Sequence, residues 1–314
     1  MMMQKAVEVE NLQKCFGEFV ALKKVNFEVQ QGEIFSLLGP NGAGKSTTIS
    51  MLSCLLQPSG GDACVMGHSV LREAQAVKAA IGVVPQDIAL YQDLSARENL
   101  SFWGRLYGLR GSALARRVDE VLEIIGLTDR QKDRVDKFSG GMKRRVNIGA
   151  ALMHKPAVII MDEPTVGIDP QSRRHILDNI KELNSQGMTV LYTTHYMEEA
   201  QELSDHIAIM DQGEVIACGT HTELVKLVGE LDRINLTLNS DSDKVLADWQ
   251  ATPGVHRVFA EDGHLTVLAE DSNLILPHLF ESATQAKVRI LSVEIQEPNL
   301  EAVFLHLTGK ALRD

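Results

Sequence analysis

The residues best suited to chemistry form a glycine-rich segment with the sequence GPNGAGKST. Its spacing is a glycine, four residues and then Gly-Lys-Ser, which is the phosphate-binding P-loop pattern. Glycines let the backbone N–H groups approach phosphates closely, because no Cβ intervenes and positive φ is allowed. We expect Lys45 to reach the β- and γ-phosphates and the Ser46 hydroxyl to ligate Mg²⁺. The alternative is an ordinary glycine-rich turn before a helix. The predicted phosphate-binding residues are Gly39, Pro40, Asn41, Gly42, Ala43, Gly44, Lys45, Ser46 and Thr47.

Polar residues also follow apolar segments that are typical of buried strands. Gln86 comes shortly after IGVV, and Asp162 and Glu163 come directly after VIIM. His195 comes shortly after TVLYT. Ligands of α/β proteins bind at the carboxyl ends of such strands. Asp162 therefore suits a second Mg²⁺ anchor, direct or through water, and Glu163 suits polarisation of an attacking water. Gln86 could orient water or contact Mg²⁺. Each of these residues could instead be a solvated turn residue or a core group.

A second glycine-containing segment, FSGGMKRR, ends at Arg145. Ser139, Gly140 and Gly141 would open a helix whose N-terminus can bind an anion. The alternative is a simple N-cap followed by flexible glycines and a solvated basic turn. Three cations in a first helical turn oppose the helix dipole, which favours a functional interpretation.

The surrounding elements predict an α/β protein. Residues 34–38 predict a buried strand before the P-loop, and residues 48–56 predict the start of a helix after it. Residues 7–29 alternate in polarity and predict an antiparallel sheet, in which Phe16 is either an adenine platform or a packing residue. Residues 87–155 predict a helical insertion, with a capping box at SARE and a helix from about Ser112 to a stop at Gly126. An apolar-periodic helix opens at Asp169.

The last part of the chain has a different pattern. Residues 229–314 predict the order strand, helix, strand, strand, helix, strand, which fits a small ferredoxin-like unit. A turn at residues 261–263 would join the two middle strands, and Pro298 would open a final helix. This region shows no recognisable chemistry, and we expect it to help dimerise or regulate the protein. Passive packing is the alternative.

Bulk composition excludes several classes. The 314 residues suit about two domains, and the net charge of −11 argues against a nucleic-acid surface. Four scattered cysteines without a Cys-x-x-Cys pair predict reduced thiols in a cytosolic protein. The N-terminus becomes charged at Lys5, so we expect no signal peptide, and no apolar run approaches the length that spans a bilayer.

Residues 5–228 resemble an ATP-binding subunit of an ABC transporter, because the following features occur in that family's order: the P-loop, Gln86, Ser139-Gly140-Gly141, Asp162-Glu163, Asp169 and His195. FSGGM in place of LSGGQ, VGID in place of SALD, THYMEEA and EPNLEAVFL resemble the bacterial drug, lipid and polysaccharide exporter branch, such as the daunorubicin-resistance type. Position 16 is Phe where Tyr is commoner in the family. None of these departures removes a phosphate-binding group.

The resemblance implies a P-loop NTPase (RecA-like) core with an antiparallel β subdomain and a helical subdomain at about residues 87–155, all within residues 1–228. ATP and Mg²⁺ are the implied cofactors, and two ATP-binding subunits meet head to tail. Phe16 would stack on adenine, Ser139 and Gly141 would contact ATP on the opposite subunit, and Asp169 would lie at that interface. The implied catalytic residues are Glu163 as general base, His195 and Gln86 at the γ-phosphate, and Lys45. The implied metal site comprises Ser46, Gln86 and Asp162.

The preferred hypothesis is an ATPase that drives export through a separate integral membrane permease. The subunit would sit on the cytoplasmic face of the cell membrane, held by that permease, and pair with a second copy or a related subunit. One alternative is a non-transport ABC ATPase acting on nucleic acid or ribosomes. Another is an ATP-binding switch without sustained hydrolysis.

Overall fold

The computed structural model describes residues 4–228, 231–239, 243–261, 264–296 and 299–308. These residues divide into two compact units, with the boundary between His221 and Thr222. The boundary between residues 228 and 229 that the sequence favours stays a prediction. Within the described ranges, no helix is long and apolar enough to cross a membrane.

The first unit combines two sheets with helices. Its strands are β1 (Lys5–Phe16), β2 (Phe19–Gln30), β3 (Ile34–Leu38), β4 (Gly60–Val65), β5 (His68–Ser69), β6 (Ile81–Val84), β7 (Val158–Asp162), β8 (Thr189–Thr194), β9 (His206–Asp211) and β10 (Glu214–Gly219). Its helices are α1 (Lys45–Leu52), α2 (Ala74–Ala80), α3 (Ala96–Leu106), α4 (Gly111–Ile124), α5 (Gly140–Leu152), α6 (Pro170–Ser185) and α7 (Met197–Leu203).

The larger sheet positions the predicted site. Its strand order is β10-β9-β3-β8-β7-β6, and β9, β3, β8, β7 and β6 are mutually parallel. Every residue of β3, β7 and β8 is buried, which is expected of parallel strands covered on both faces. The carboxyl ends of these strands meet at one edge. The structure therefore brings together the segments that follow them, which are far apart in sequence.

The antiparallel sheet predicted over residues 7–29 is present. Its strand order is β2-β1-β4-β5. β1 and β2 form a hairpin in which Phe16 is paired with Phe19, and Gly17 between them has φ of 60°. The hairpin places both phenylalanines beside the P-loop.

Within the predicted helical insertion the structure has α3, α4 and α5, with short 3-10 turns at Thr128–Arg130 and Val135–Lys137. The capping box is complete, since Ser95 Oγ accepts from the Glu98 backbone N–H and Glu98 in turn accepts from the Ser95 N–H. α4 ends at Ile124, and Gly126 has φ of 62°. This is the stop that the sequence predicts.

The second unit has the predicted ferredoxin-like order. After α8 (His221–Val228) come β11 (Asp232–Leu238), α9 (Asp243–Ala251), β12 (Val255–Glu261), β13 (His264–Ala269), α10 (Ser272–Gln285), β14 (Ile290–Gln296) and α11 (Leu300–Thr308). The strand order is β12-β13-β11-β14, and all pairs are antiparallel. The centre of the predicted turn (residues 262–263) and Pro298 lie outside the described residues.

Candidate functional site

The P-loop runs from the end of β3 into the first turn of α1, as the motif requires. Gly44 has φ of 107°, and a Cβ there would lie 2.4 Å from Leu22 Cδ2. A Cβ on Gly39 would lie 2.3 Å from the Met210 carbonyl oxygen. Larger residues at either position would push the loop away from its neighbours. Gly39 is therefore required by the close approach of the Met210 backbone, and Gly44 by its positive φ.

Lys45 turns back over the loop that precedes it. Its Nζ donates to the Gly39 carbonyl oxygen at 2.6 Å and to the Pro40 carbonyl oxygen at 3.1 Å. The side chain is 4% exposed, and Nζ lies 3.1 Å from Glu163 Oε1. A buried ammonium is costly unless it is paired, so these contacts fix its position. The cation faces the concave side of the P-loop.

A cavity of about 250 Å³ lies over the P-loop and brings most of the predicted site together. Phe19 also lines it, 68% exposed, and the sequence analysis did not single out this residue. Phe19 pairs with Phe16 in the hairpin, so its place beside the P-loop follows only from the strand pairing. The predicted residues that line the cavity are Phe16, Asn41, Gly42, Gly44, Lys45, Ser46, Thr47, Gln86 and Glu163.

Glu163 lies at the centre of the polar contacts. It is 5% exposed, and its backbone has φ of 43°, an uncommon value for a residue other than glycine. Its carboxylate contacts Lys45, accepts from Gln86 Nε2 at 3.4 Å and lies 3.4 Å from His195 Nδ1. That histidine nitrogen makes no hydrogen bond within the described part of the chain. The structure therefore brings three distant segments of the sequence together around one carboxylate.

Asp162 and its neighbour are held by a residue that the sequence analysis missed. Thr193 Oγ1 donates to Asp162 Oδ1 at 2.7 Å and accepts from the Glu163 backbone N–H at 3.0 Å. The hydrogen bond from Thr193 uses only Oδ1 of the Asp162 carboxylate. Asp162 does not line the cavity. One buried hydroxyl on β8 thus fixes both acidic residues at the end of β7. A polar residue inside a buried strand was the available sequence signal.

A second missed residue is Glu199, on α7. It is 3% exposed and accepts hydrogen bonds from three hydroxyls. Thr165 donates at 2.7 Å, Tyr192 at 2.8 Å and Thr194 at 2.9 Å. Burial, and then the charge of Glu199, raise the pKa of Tyr192 well above its ordinary value. This buried carboxylate joins the loop after Glu163 to the strand that precedes His195.

The SGG segment lies elsewhere. Ser139 caps α5 by accepting from the Met142 N–H at 3.2 Å, and Ser139 and Gly140 are exposed. A Cβ on Gly141 would lie 2.2 Å from Ser172 Cβ, so this glycine is also needed for packing against α6. None of the three lines the cavity over the P-loop of the same chain. The exposure of Ser139 and Gly140 leaves the start of α5 accessible to another subunit.

Asp169 caps α6. Its carboxylate accepts from the Ser172 N–H at 2.9 Å, and this hydrogen bond lowers the pKa of Asp169 below its ordinary value. Pro170 occupies the first turn, where its missing N–H costs nothing. The contact accounts for the helix start that the sequence predicts at this position.

The site suits a small hard cation held jointly with a ligand. Among the described residues, no group of three or more His, Cys, Asp or Glu side chains could hold a metal ion alone. Ser46 and Gln86 line the cavity and can each offer an oxygen ligand, whereas Asp162 does not line it. Mg²⁺ is usually held in this way, by one or two protein oxygens together with phosphates and water.

Comparison with known proteins places this geometry in a family. Residues 22–166 match the family model described as ABC transporter. The chain is 49% identical to the linearmycin resistance ATP-binding protein of Bacillus subtilis, over 98% of this chain and 100% of that protein. It is 39% identical to a daunorubicin resistance ATP-binding protein of Streptomyces coeruleorubidus, over 98% and 97%. It is 38% identical to the Nod factor export ATP-binding protein I of Cupriavidus metallidurans, over 99% and 100%.

A solved structure shares the fold of much of the chain. It is an ATP-binding cassette in a dimeric, post-hydrolysis state bound to ADP and Pi. The similarity has a TM-score of 0.62 with 29% sequence identity, and it covers 68% of this chain and 98% of that one. The resemblance inferred from the motifs, and the mixed α/β fold, are thereby confirmed.

Proposed function

Because this chain belongs to the ABC transporter family and is an ATP-hydrolysing subunit of an exporter, we propose that the cavity over the P-loop is its catalytic site. The observation that carries the proposal is the contact of Glu163 with Lys45, Gln86 and His195 around one cavity. The relatives named above are resistance and export subunits, which favours transport over action on ribosomes or nucleic acid.

The chain's own residues divide the work of hydrolysis. Phe16 stacks on the base, while the P-loop N–H groups and Lys45 bind the phosphates. Glu163 accepts a proton from the attacking water, and His195 and Gln86 orient the groups at the γ-phosphate. The contacts of Lys45, Gln86 and His195 support this division, since each of these three side chains lies within 3.4 Å of the Glu163 carboxylate.

Ser46, Gln86 and Asp162 would hold Mg²⁺. When bound, the ion neutralises charge on the β- and γ-phosphates. Thr193 contributes indirectly, because its hydroxyl fixes one oxygen of Asp162. Ser139, Gly140 and Gly141 would complete the site of a second subunit in a head-to-tail dimer. The exposure of Ser139 and Gly140 supports that assignment, as does the fact that none of the three residues lines this chain's own cavity.

A second cavity of the same unit suits the permease. It has a volume of about 570 Å³ and a largely apolar wall, which includes Leu55, Trp103, Leu106 and Tyr107. Leu55 is 75% exposed and Leu106 is 66% exposed. Trp103 Nε1 is buried and makes no hydrogen bond with any described residue. We assign this apolar groove to a short cytoplasmic helix of a separate permease, whose terminal carbonyl groups can accept from Trp103.

Co-purification from salt-washed native membranes tests the partner assignment. The wild-type chain is expected to bring down a stoichiometric polytopic membrane protein. Leu106→Asp should remove that protein, because it places a charge in the apolar groove, while basal ATP hydrolysis persists. Leu71→Asp is the matched control, since Leu71 is also exposed but lies outside the groove. Recovery of the wild type only as a soluble protein would overturn both the permease partner and the location at the cytoplasmic face of the membrane.

The second unit is proposed to dimerise or regulate the subunit. It has a hydrophobic core of its own, which includes Ile234, Trp249 and Val267. Removal of residues 230–314 should weaken dimerisation or change ATP turnover. Unchanged dimerisation, permease assembly and turnover would show that this unit is a passive extension.

A further inference from the structure

The basic turn at the start of α5 has an unusual set of partners. Cations at a helix N-terminus oppose the helix dipole, yet positions 143–145 are all basic. Arg145 Nη1 donates to the carbonyl oxygens of Ile125 at 3.0 Å and Gly126 at 3.2 Å, at the end of α4. A cation is favourable there, since the carbonyl end of a helix is negative. Arg145 thus has a structural explanation.

Arg144 contacts a different segment. Its Nη1 donates to the Pro85 carbonyl oxygen at 2.7 Å, and its Nη2 donates to the Gln86 carbonyl oxygen at 2.6 Å. The residue is 3% exposed, and Nε makes no hydrogen bond among the described residues. Removing a guanidinium from water is costly. Here its bonded partners are two consecutive backbone carbonyls of the segment that presents Gln86.

Asn147 extends the same contact by one helical turn. It lies three residues after Arg144 on α5 and is 3% exposed. Its Oδ1 accepts from the Ala89 N–H at 3.3 Å, and its Nδ2 donates to the Asp87 carbonyl oxygen at 3.5 Å. Side chains at i and i+3 share a face of a helix. One face of α5 therefore bonds to four backbone groups between Pro85 and Ala89.

We propose that Arg144 is a positioning residue that fixes Gln86 relative to α5, so that movement of α5 moves Gln86 at the hydrolytic site. The proposal rests on the proposed role of Gln86. α5 begins at the exposed Ser139 cap, and Asn147 and Ala89 line the apolar groove. A partner that engages either end of α5 would displace Gln86 through these hydrogen bonds. Arg144 thus links Gln86, through α5, to the exposed Ser139 cap and to the apolar groove.

Arg144→Lys tests the link while keeping the charge. A lysine has no planar two-pronged donor, so it cannot reproduce both contacts in the same geometry. We expect the Kd for ATP to stay within about 2-fold while kcat falls about 10- to 100-fold, the cost of a misplaced catalytic group. Arg145→Lys is the matched control and should leave kcat within about 2-fold. Arg144→Gln serves for the same comparison if the lysine variant does not fold.

A double-mutant cycle with Gln86→Ala separates positioning from a general loss of structure. If Arg144 acts through Gln86, Arg144→Lys should lower kcat little further in the Gln86→Ala background. Independent losses that multiply, or an unchanged kcat in Arg144→Lys, would overturn the inference. Unchanged turnover in Gln86→Ala alone would instead overturn the proposed role of Gln86. The two failures are therefore distinguishable.

Discussion

Replacement of Glu163 by Gln tests the catalytic assignment most directly. The two side chains have nearly the same shape, so the amide oxygen can still accept from Lys45, which lies 3.1 Å from the carboxylate. What disappears is the negative charge and the ability to take a proton from water. The substitution therefore removes the chemistry of this position and preserves most of its packing.

The expected loss of turnover is large. A positioned general base contributes about 10²- to 10⁴-fold, so the barrier should rise by about 2.7 to 5.5 kcal/mol. ATP affinity should be unchanged or higher, since the lost charge is negative and ATP is an anion. The ATP-free protein should lose up to about 3 kcal/mol of unfolding free energy, because Lys45 stays buried without its carboxylate.

Phosphate release and the Kd of a fluorescent ATP analogue, measured on the same preparation, separate these effects. Glu198→Gln is the matched control, because Glu198 is exposed on the first turn of α7. This variant should turn over ATP like the wild type. Circular dichroism confirms that both variants fold. Turnover close to that of the wild type in Glu163→Gln would refute the assignment of the base.

Three further predictions concern stability and pH. Glu199→Leu should lower the unfolding free energy by about 3–5 kcal/mol in urea, since three buried hydroxyls lose their acceptor. The surface change Glu202→Gln should cost less than about 1 kcal/mol, and an equal loss in both would contradict the buried network. Ser95→Ala should cost about 1 kcal/mol through loss of the capping box, and an unchanged urea midpoint would argue against it. Burial raises the pKa of Glu33 above 4.5, so the folded state holds this proton more tightly and the contribution of Glu33 to stability declines as pH rises above 4.5. Glu33→Gln should remove that decline above pH 4.5, and an identical pH slope in variant and wild type would rule out this origin.

The sequence was sufficient where function depends on neighbouring residues in the chain. A P-loop needs its glycines, lysine and serine at fixed spacing between a strand and a helix, and all of these are local. The same holds for the capping box at Ser95 and for the cap of α6 at Asp169. In each case the side chain contacts a backbone group within three residues.

Other elements carried too little local information. α2 and the short strand β5 span few residues, and the antiparallel pair β9 and β10 has no distinctive alternation. β5 and β10 pair with the strands directly before them, and β9 pairs with β3, which is distant in sequence. Strand order, which places β3 between β9 and β8, is likewise set by long-range packing.

The hydrolytic residues could be named from the ordered motifs, but the groups that hold them could not. Thr193, Glu199 and Arg144 are polar residues, and each has a partner that is distant in sequence, at 31, 34 and 58 positions respectively. A periodic pattern shows that such a residue is buried without showing what it contacts. The spacing of glycine, lysine and serine along the sequence determined the phosphate-binding loop of this protein. Folding decided which buried side chains fix Glu163, His195 and Gln86, because a desolvated polar group must bond to whatever the packed sheet and helices place within reach.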